Sequence, residues 1–384
     1  MKNGILTLLI IFLTINLLEA QKPQKILGIA KENKTAEYYQ EQARLWRQVV
    51  DKDPSDGPAW FQLYRAEKSY WLRAEPETWA ASPTTIFANL QPIIEELGRK
   101  LPDSYEYNYL RSANSRNPVD KKYLIRAYEI DPDRQEAYEG LLIYYYLSFK
   151  ENEATAIARK MLEKNYFSNA SLKWNYNGLM TAESNGIFIA NGDMDALPKW
   201  VLQAGQNIRN DVLVISRPSL AFDAGYRQLV FDKLNIAPYP GQTPADMGLY
   251  SELLTIHIMK HAGRPVYMAC GTDVSFFERQ DIDTRMYLVG SAFLYSEKGL
   301  DNLSLCLKNF EEVYDLEYLH RNFQTHREDE LVRTRMNVTY IPGLMKIKRH
   351  YEKTGDQKRL AWCDKLIDHI AQDSGRAEEI KSWY

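Results

Sequence analysis

Residues 186–202 read GIFIANGDMDALPKWVL: four apolar residues in a row, a break at Asn-Gly-Asp-x-Asp, then helical spacing. A continuous apolar run of this length, bounded by glycine, suits a strand buried on both faces, as in a parallel sheet. Two further runs share the pattern, DVLVISR from Asp211 and RPVYMACG from Arg264. Helical stretches separate them: DALPKWVLQAGQNI, AGYRQLVFDKLN and GLYSELLTIHIMKHAG. Strand, helix, strand with a crossover of this length is a right-handed βαβ unit, so a small α/β domain is predicted over residues 179–297. MYLVGSAFLYS adds a final strand, antiparallel at an edge.

The flanks have a different period. From Asp131 to Asn165, Tyr138, Leu141, Tyr145, Ala154 and Ala158 fall at helical spacings on two consecutive helices and track the tetratricopeptide pattern. There the aromatic and leucine face of the first helix packs on the small-residue face of the second. Asp131-Pro132 ends the preceding helix, DKKYLIRAYEI. An upstream copy passes through Asp53-Pro54 into Trp60 and Leu63, with its second half degraded at Pro76. Toward the C-terminus Leu344, Ile347 and Tyr351 share one face, Thr354-Gly355-Asp356 forms a turn, and Leu360, Ala361 and Ile367 share the next. NLSLCLKNFEEVYDLEYLHRNF reads as one more amphipathic helix. The fold class is therefore mostly α with an α/β insert. Tetratricopeptide-like pairs over 21–178 and helical pairs over 298–384 flank a small parallel-sheet domain.

Composition narrows the function. The 384 residues carry 48 basic and 51 acidic side chains, a formal net charge of -3 with no basic excess, so a nucleic-acid partner is not expected. Lys2, the apolar run from Gly4 to Leu18 and the small Ala20 read as a secretory signal peptide over residues 1–20. A periplasmic mature chain follows, an uncleaved N-terminal anchor being the alternative. No later apolar stretch approaches about twenty residues, so no membrane span is expected beyond the leader. Cys270, Cys306 and Cys363 are too sparse for a disulfide scaffold and read as small buried apolar residues.

Ligands of open parallel sheets gather beyond the carboxyl ends of the strands. Asn191, Gly192, Asp193 and Asp195 lie there after the first strand, Ser216 and Arg217 after the second, and Gly271, Thr272 and Asp273 after the third. Two carboxylates one residue apart can hold a divalent cation with a phosphate or sugar hydroxyl, since hard oxygen donors suit such ions. The competing reading makes Asp195 the N-cap of the following helix, with Pro198 in its first turn and Gly192 easing the turn before it. Asn191, Asp193, Asp195, Arg217 and Asp273 are the candidate ligand-binding residues; no catalytic residue and no cofactor is assigned, and whether a metal binds stays open. GxSxG, HExxH, P-loop and GxGxxG signatures are absent. His257 and His261 form an i, i+4 pair that reads as a helix-end coincidence, and His320 and His326 belong to a solvated charged stretch. Tyr144, Tyr145, Tyr146, Trp60, Trp71 and Trp79 either line a groove for peptide or carbohydrate or fill helix-pair cores.

The stretch IFIANGDMDALPKWVLQAGQNIRNDVLVISRPSL also resembles the soluble C-terminal region of a family of bacteroidete membrane proteins related to protein O-mannosyltransferases. The resemblance rests on Asn191, Gly192, Asp193, Asp195, Pro198, Trp200, Gln203, Ile208, Arg209, Asp211, Val212 and Val214. GYRQLVFDKLNIAPYPG and GRPVYMACGTDVSFFERQDIDTRMYLVGSAFLYS resemble later parts of the same region. It implies a shared architecture for the soluble part. The many membrane helices that hold the lipid-linked donor in those relatives have no counterpart here, so glycosyl transfer is not implied. Two functions follow as expectations. The first is an exported, non-catalytic binding or scaffold protein of the cell envelope, docking a protein partner through helical-repeat surfaces. The second is a glycan-binding or glycosyltransferase-accessory protein using the Asp-x-Asp stretch.

Overall fold

The computed structural model describes residues 22–27, 34–76, 83–115, 118–271, 274–321 and 328–383. The leader over residues 1–20 and the residues Trp79, Thr272, Asp273 and His326 lie outside them. No described helix is long and apolar enough to cross a membrane. The chain forms two compact units that divide between Ala137 and Tyr138.

The first unit is helical: α1 (Ala36–Lys52), α2 (Gly57–Ala74), α3 (Pro83–Lys100), α4 (Tyr105–Ala113) and α5 (Lys121–Ile130). Its core gathers Tyr39, Trp60, Leu63, Leu90, Ile94, Leu97 and Leu110. The Asp53-Pro54 turn shows how the sequence stops one helix and starts the next. Asp53 closes α1, and Asp56 accepts the Ala59 N–H at 2.9 Å to cap α2. The Trp60 indole N–H reaches back to the Pro54 carbonyl at 3.0 Å. A capping carboxylate satisfies an otherwise orphaned donor, and proline just past a helix end cannot extend it. The same device recurs at Leu101-Pro102, where Ser104 caps α4 by accepting the Tyr107 N–H.

The division falls in the first turn of α6 (Glu136–Leu147), and in the second unit the rest of α6, α7 (Glu151–Glu163) and α8 (Asn169–Thr181) lead into the α/β element. This comprises β1 (Ile187–Ala190), α9 (Asp193–Gln206), β2 (Leu213–Ser216), α10 (Arg217–Phe222), α11 (Ala224–Leu234), α12 (Met247–His261), β3 (Val266–Ala269), α13 (Ser275–Arg279), β4 (Met286–Leu288) and β5 (Ala292–Tyr295). The sheet order is β2-β1-β3-β5-β4. The three predicted strands run parallel, with Ile189 level with both Ile215 and Met268. Side chains alternate across a strand. Ile187, Ile189, Leu213, Ile215, Val266 and Met268 accordingly share one cluster with Leu220, Val230, Phe231, Leu254 and Ile258 of α10–α12. Phe188 turns the other way, toward α8 and α9. Helices thus cover both faces, the three-layer solution for buried parallel strands.

Three details differ from the sequence reading. The stretch MYLVGSAFLYS is a hairpin of two strands, and β5 inserts between β3 and β4, antiparallel to both. Gly290 makes the turn at φ +123°, which side-chain-bearing residues rarely adopt, and a Cβ there would sit 2.3 Å from the Tyr314 hydroxyl oxygen. The helix expected from Asn302 stops as α14 (Asn302–Lys308), passes through a π turn at Asn309–Val313 and then extends. Tyr314 Oη accepts the Ser291 N–H at 2.8 Å and Asn177 Oδ1 accepts the Asp315 N–H at 2.9 Å, so buried partners pull this backbone out of the helix. The close neighbour of α7's small-residue face is α9: a Cβ on Gly205 would lie 2.6 Å from Leu162 Cδ1 and 3.4 Å from the Ala158 carbonyl carbon.

Helices α15 (Ile341–Thr354), α16 (Gln357–Asp373) and α17 (Ala377–Lys381) close the chain, with Gly355 left-handed at φ +74° between the first two. Leu344, Ile347, Tyr351 and Ile367 are buried as read from the pattern, but Ala361 is exposed and the inner face of α16 runs through Cys363, Leu366 and Ile370. Trp174 of α8 belongs to this same core. Gly290→Ala is expected to destabilise by about 2 kcal/mol, from backbone strain and the displaced Tyr314 hydroxyl, read as a lower midpoint in urea.

Candidate functional site

The order β2-β1-β3 puts the reversal of strand direction of travel at the carboxyl ends of β1 and β3, where open sheets take ligands. The two loops meet there: a Cβ on Gly271 would be 4.0 Å from Asn191 Nδ2. Arg217 opens α10 and lays its guanidinium over the Phe276 ring at 4.8 Å. Asn191 and the β3 loop therefore come together, Arg217 stands with α13, and Asp273 lies outside the described residues.

The two aspartates part company. Gly192 is the N-cap of α9, with Asp193 its first residue and Asp195 its third. Loss of water, with the Glu139 charge adding to it, pushes the Asp193 carboxyl up. Asp195 points inward: one oxygen pairs with the Lys199 ammonium and the other accepts the Asn191 N–H at 2.9 Å. That second bond resembles a capping box, an acidic side chain in the first turn reaching back to a preceding backbone donor.

Lys199 is completely buried. Its ammonium also donates to Asn175 Oδ1 at 2.8 Å and lies over the Phe188 and Trp174 rings at 4.5 and 4.9 Å. A Cβ on Gly178 would come within 3.0 Å of Lys199 Cε, so glycine on α8 makes the room. Burial pushes this amine down and Asp195 opposes the shift. Pro198 sits within the helix and has no N–H for the Met194 carbonyl, which accepts the Asn175 side-chain amide at 3.1 Å instead. Asn175, Asp195, Pro198 and Lys199 thus form one buried polar knot between α8 and α9.

The remaining residues of the Trp200–Val214 motif finish the sheet edge. Leu213 N–H donates to the Gly186 carbonyl, so Val212, Val214 and Ser216 turn their backbone groups away from β1. Gln203 Nε2 meets the Val212 carbonyl at 2.7 Å, the Trp200 indole meets the Val214 carbonyl at 3.3 Å, and the Tyr226 hydroxyl accepts the Ser216 N–H at 3.3 Å. Arg209, left-handed at φ 51°, donates to the Leu179, Ala182 and Glu183 carbonyls at the end of α8 and grips Asp211 with two bonds. A cation suits a helix C-terminus, where carbonyls lack partners.

At the opposite, amino edge of the strands a cleft of ≈ 760 Å³ opens between α7, the end of α9 and the loops before β1, β2 and β3. Tyr145, Thr155, Arg159, Asn207 and Arg264 line it. Tyr146 forms part of its wall, stacked on Trp200 with centroids 4.2 Å apart and its hydroxyl on Gln203 Oε1 at 2.8 Å. The pocket was missed in the sequence because its residues come from five separated segments, and only the tyrosine run Tyr144–Tyr146 signalled it.

Other groups singled out in the sequence are tied to structure. His257 Nε2 contacts the Ala237 carbonyl at 2.8 Å, and His261 Nδ1 contacts the His257 carbonyl at 2.9 Å. The cysteines form no disulfide, and burial pushes the Cys306 and Cys363 thiols up to about 12 and Cys270 higher, far from the thiolate a nucleophile needs. No cluster of three or more metal-ligating side chains occurs among the described residues. No family model, curated protein or solved structure matches this chain.

Proposed function

We propose that this chain is a binding protein that docks a segment of a protein partner along α7, acting in the cell envelope after export by its N-terminal leader. The observation that carries the reading is the cleft itself, 760 Å³ against the 300–1,000 Å³ typical of ligand sites. Its walls are α7, the end of α9 and the loops that lead into three strands, and the two helices hold that part of the recognition surface in place at little ordering cost. Tyr145 supplies aromatic area with a polar tip, the combination favoured where surfaces recognise polypeptides.

Weighing against the Asp-x-Asp alternative, both Asp195 oxygens are engaged inside the protein, which leaves Asp193 as the one carboxylate of that pair facing outward chemistry. A photo-crosslinking amino acid at Thr155, inside the cleft, is expected to yield a discrete polypeptide adduct in native envelopes. The same group at Gln228, on α11 and outside the cleft lining, is expected to give none. Adducts at Gln228 with none at Thr155 would place docking elsewhere.

A further inference from the structure

The cleft has a charge imbalance. Lys150, Arg159, Lys233 and Arg264 line it against Glu151 and Asp211, and Asp211 is already held by Arg209. On a chain whose formal net charge is -3 this is a local positive surface. Arg159 is exposed and makes no ion pair among the described residues. The Lys233 ammonium lies over the Phe149 ring at 4.7 Å and makes no ion pair among the described residues. Arg264 donates to the Asn185 and Gly186 carbonyls, and burial lowers it with no carboxylate offsetting the shift. Cations gathered on low-dielectric walls focus field and raise the local concentration of anions.

Shape narrows the anion. Glu151, Thr155 and Arg159 lie at i, i+4 and i+8 on α7, so the lined face runs about 12 Å along the helix. Three to four residues of extended chain cover about that distance. Ala204 lines the cleft with only a methyl group, leaving space for a backbone to approach. Asn185 and Asn207 line the same cleft, and although Asn207 Oδ1 already accepts the Asn210 amide at 2.6 Å, asparagine amides carry donors of the kind a peptide carbonyl pairs with.

We propose that this cleft binds an acidic, extended polypeptide segment, with Arg159 and Lys233 meeting its carboxylates. The proposal rests on the docking role above and names the chemistry of what is docked. The test uses the full chain and a fluorescein-labelled peptide alternating glutamate and alanine, read by anisotropy. Saturable binding is expected, weakening at least tenfold between about 0.05 and 0.5 M salt as screening grows. The double variant Arg159→Glu, Lys233→Glu is expected to weaken it at least tenfold with an unchanged melting temperature, since both side chains are exposed. Equal binding of a glutamine-for-glutamate peptide, or equal binding by the double variant, overturns the proposal. So does binding of a sulfated oligosaccharide by a chain that ignores the acidic peptide. A Thr155 adduct from native envelopes alongside no peptide binding sinks the acidic-segment proposal alone and leaves the docking role standing.

Discussion

Lys199→Met is expected to destabilise the second unit by about 3–5 kcal/mol, because Asp195 would keep its buried carboxylate and lose the ammonium beside it. Asp195→Leu should cost a similar amount by stranding the lysine between the Phe188 and Trp174 rings. The pair Asp195→Leu, Lys199→Met removes both charges together and should recover most of that loss, since hydrophobic replacement of a buried ion pair is often neutral or better. Urea unfolding of the three variants checks this through their midpoints. Single substitutions costing under about 1 kcal/mol would show that water reaches the pair. The aspartate is thus expected to show a stability phenotype larger than the roughly 1 kcal/mol of a helix cap, and any binding assay on an Asp195 variant must control for folding.

Trp200→Ala is expected to cost about 3–5 kcal/mol. The side chain is 1% exposed, stacks on Tyr146, and its indole N–H serves the Val214 carbonyl. Removing it opens a void beneath the sheet and leaves a strand carbonyl without its donor. Trp200→Phe separates these contributions, keeping most of the packing and losing the hydrogen bond, so a cost of about 1–2 kcal/mol is expected. Because Tyr146 forms the cleft wall, the alanine variant should also weaken peptide binding, measurable by anisotropy below its melting temperature.

The parallel core was legible because IFIA, LVIS and VYMA are buried at every position, the one arrangement that writes a continuous apolar run. The C-terminal pair was legible because Gly355 marks a left-handed turn between two periodic faces. What escaped the sequence was tertiary. Gly290 reads as one glycine within an apolar stretch, and only the Tyr314 hydroxyl behind it shows that the chain reverses there. Asn302–Tyr314 has helical periodicity that loses to side-chain partners on α8 and the β4–β5 turn. Asp195 looked like a cap because Asp-x-Asp before a helix usually is one. Its true partner, Lys199 four residues on, was visible as an i, i+4 pair, but the burial of that pair depends on Gly178 and Asn175 from another helix. The cleft drew on residues from Tyr145 to Arg264 and left almost no local trace.

The side chains that occupy the outward backbone groups of β2 have a consequence for how this molecule meets others. An open strand is a template on which a neighbour's backbone can grow, the route to fibrils and runaway self-association. With Gln203, Trp200 and Tyr226 already on those groups, β2 has little left to template. Crowding at high concentration should therefore not extend the sheet past β2, and whatever associates with this side of the protein must be recognised by shape and charge instead of by backbone ladders.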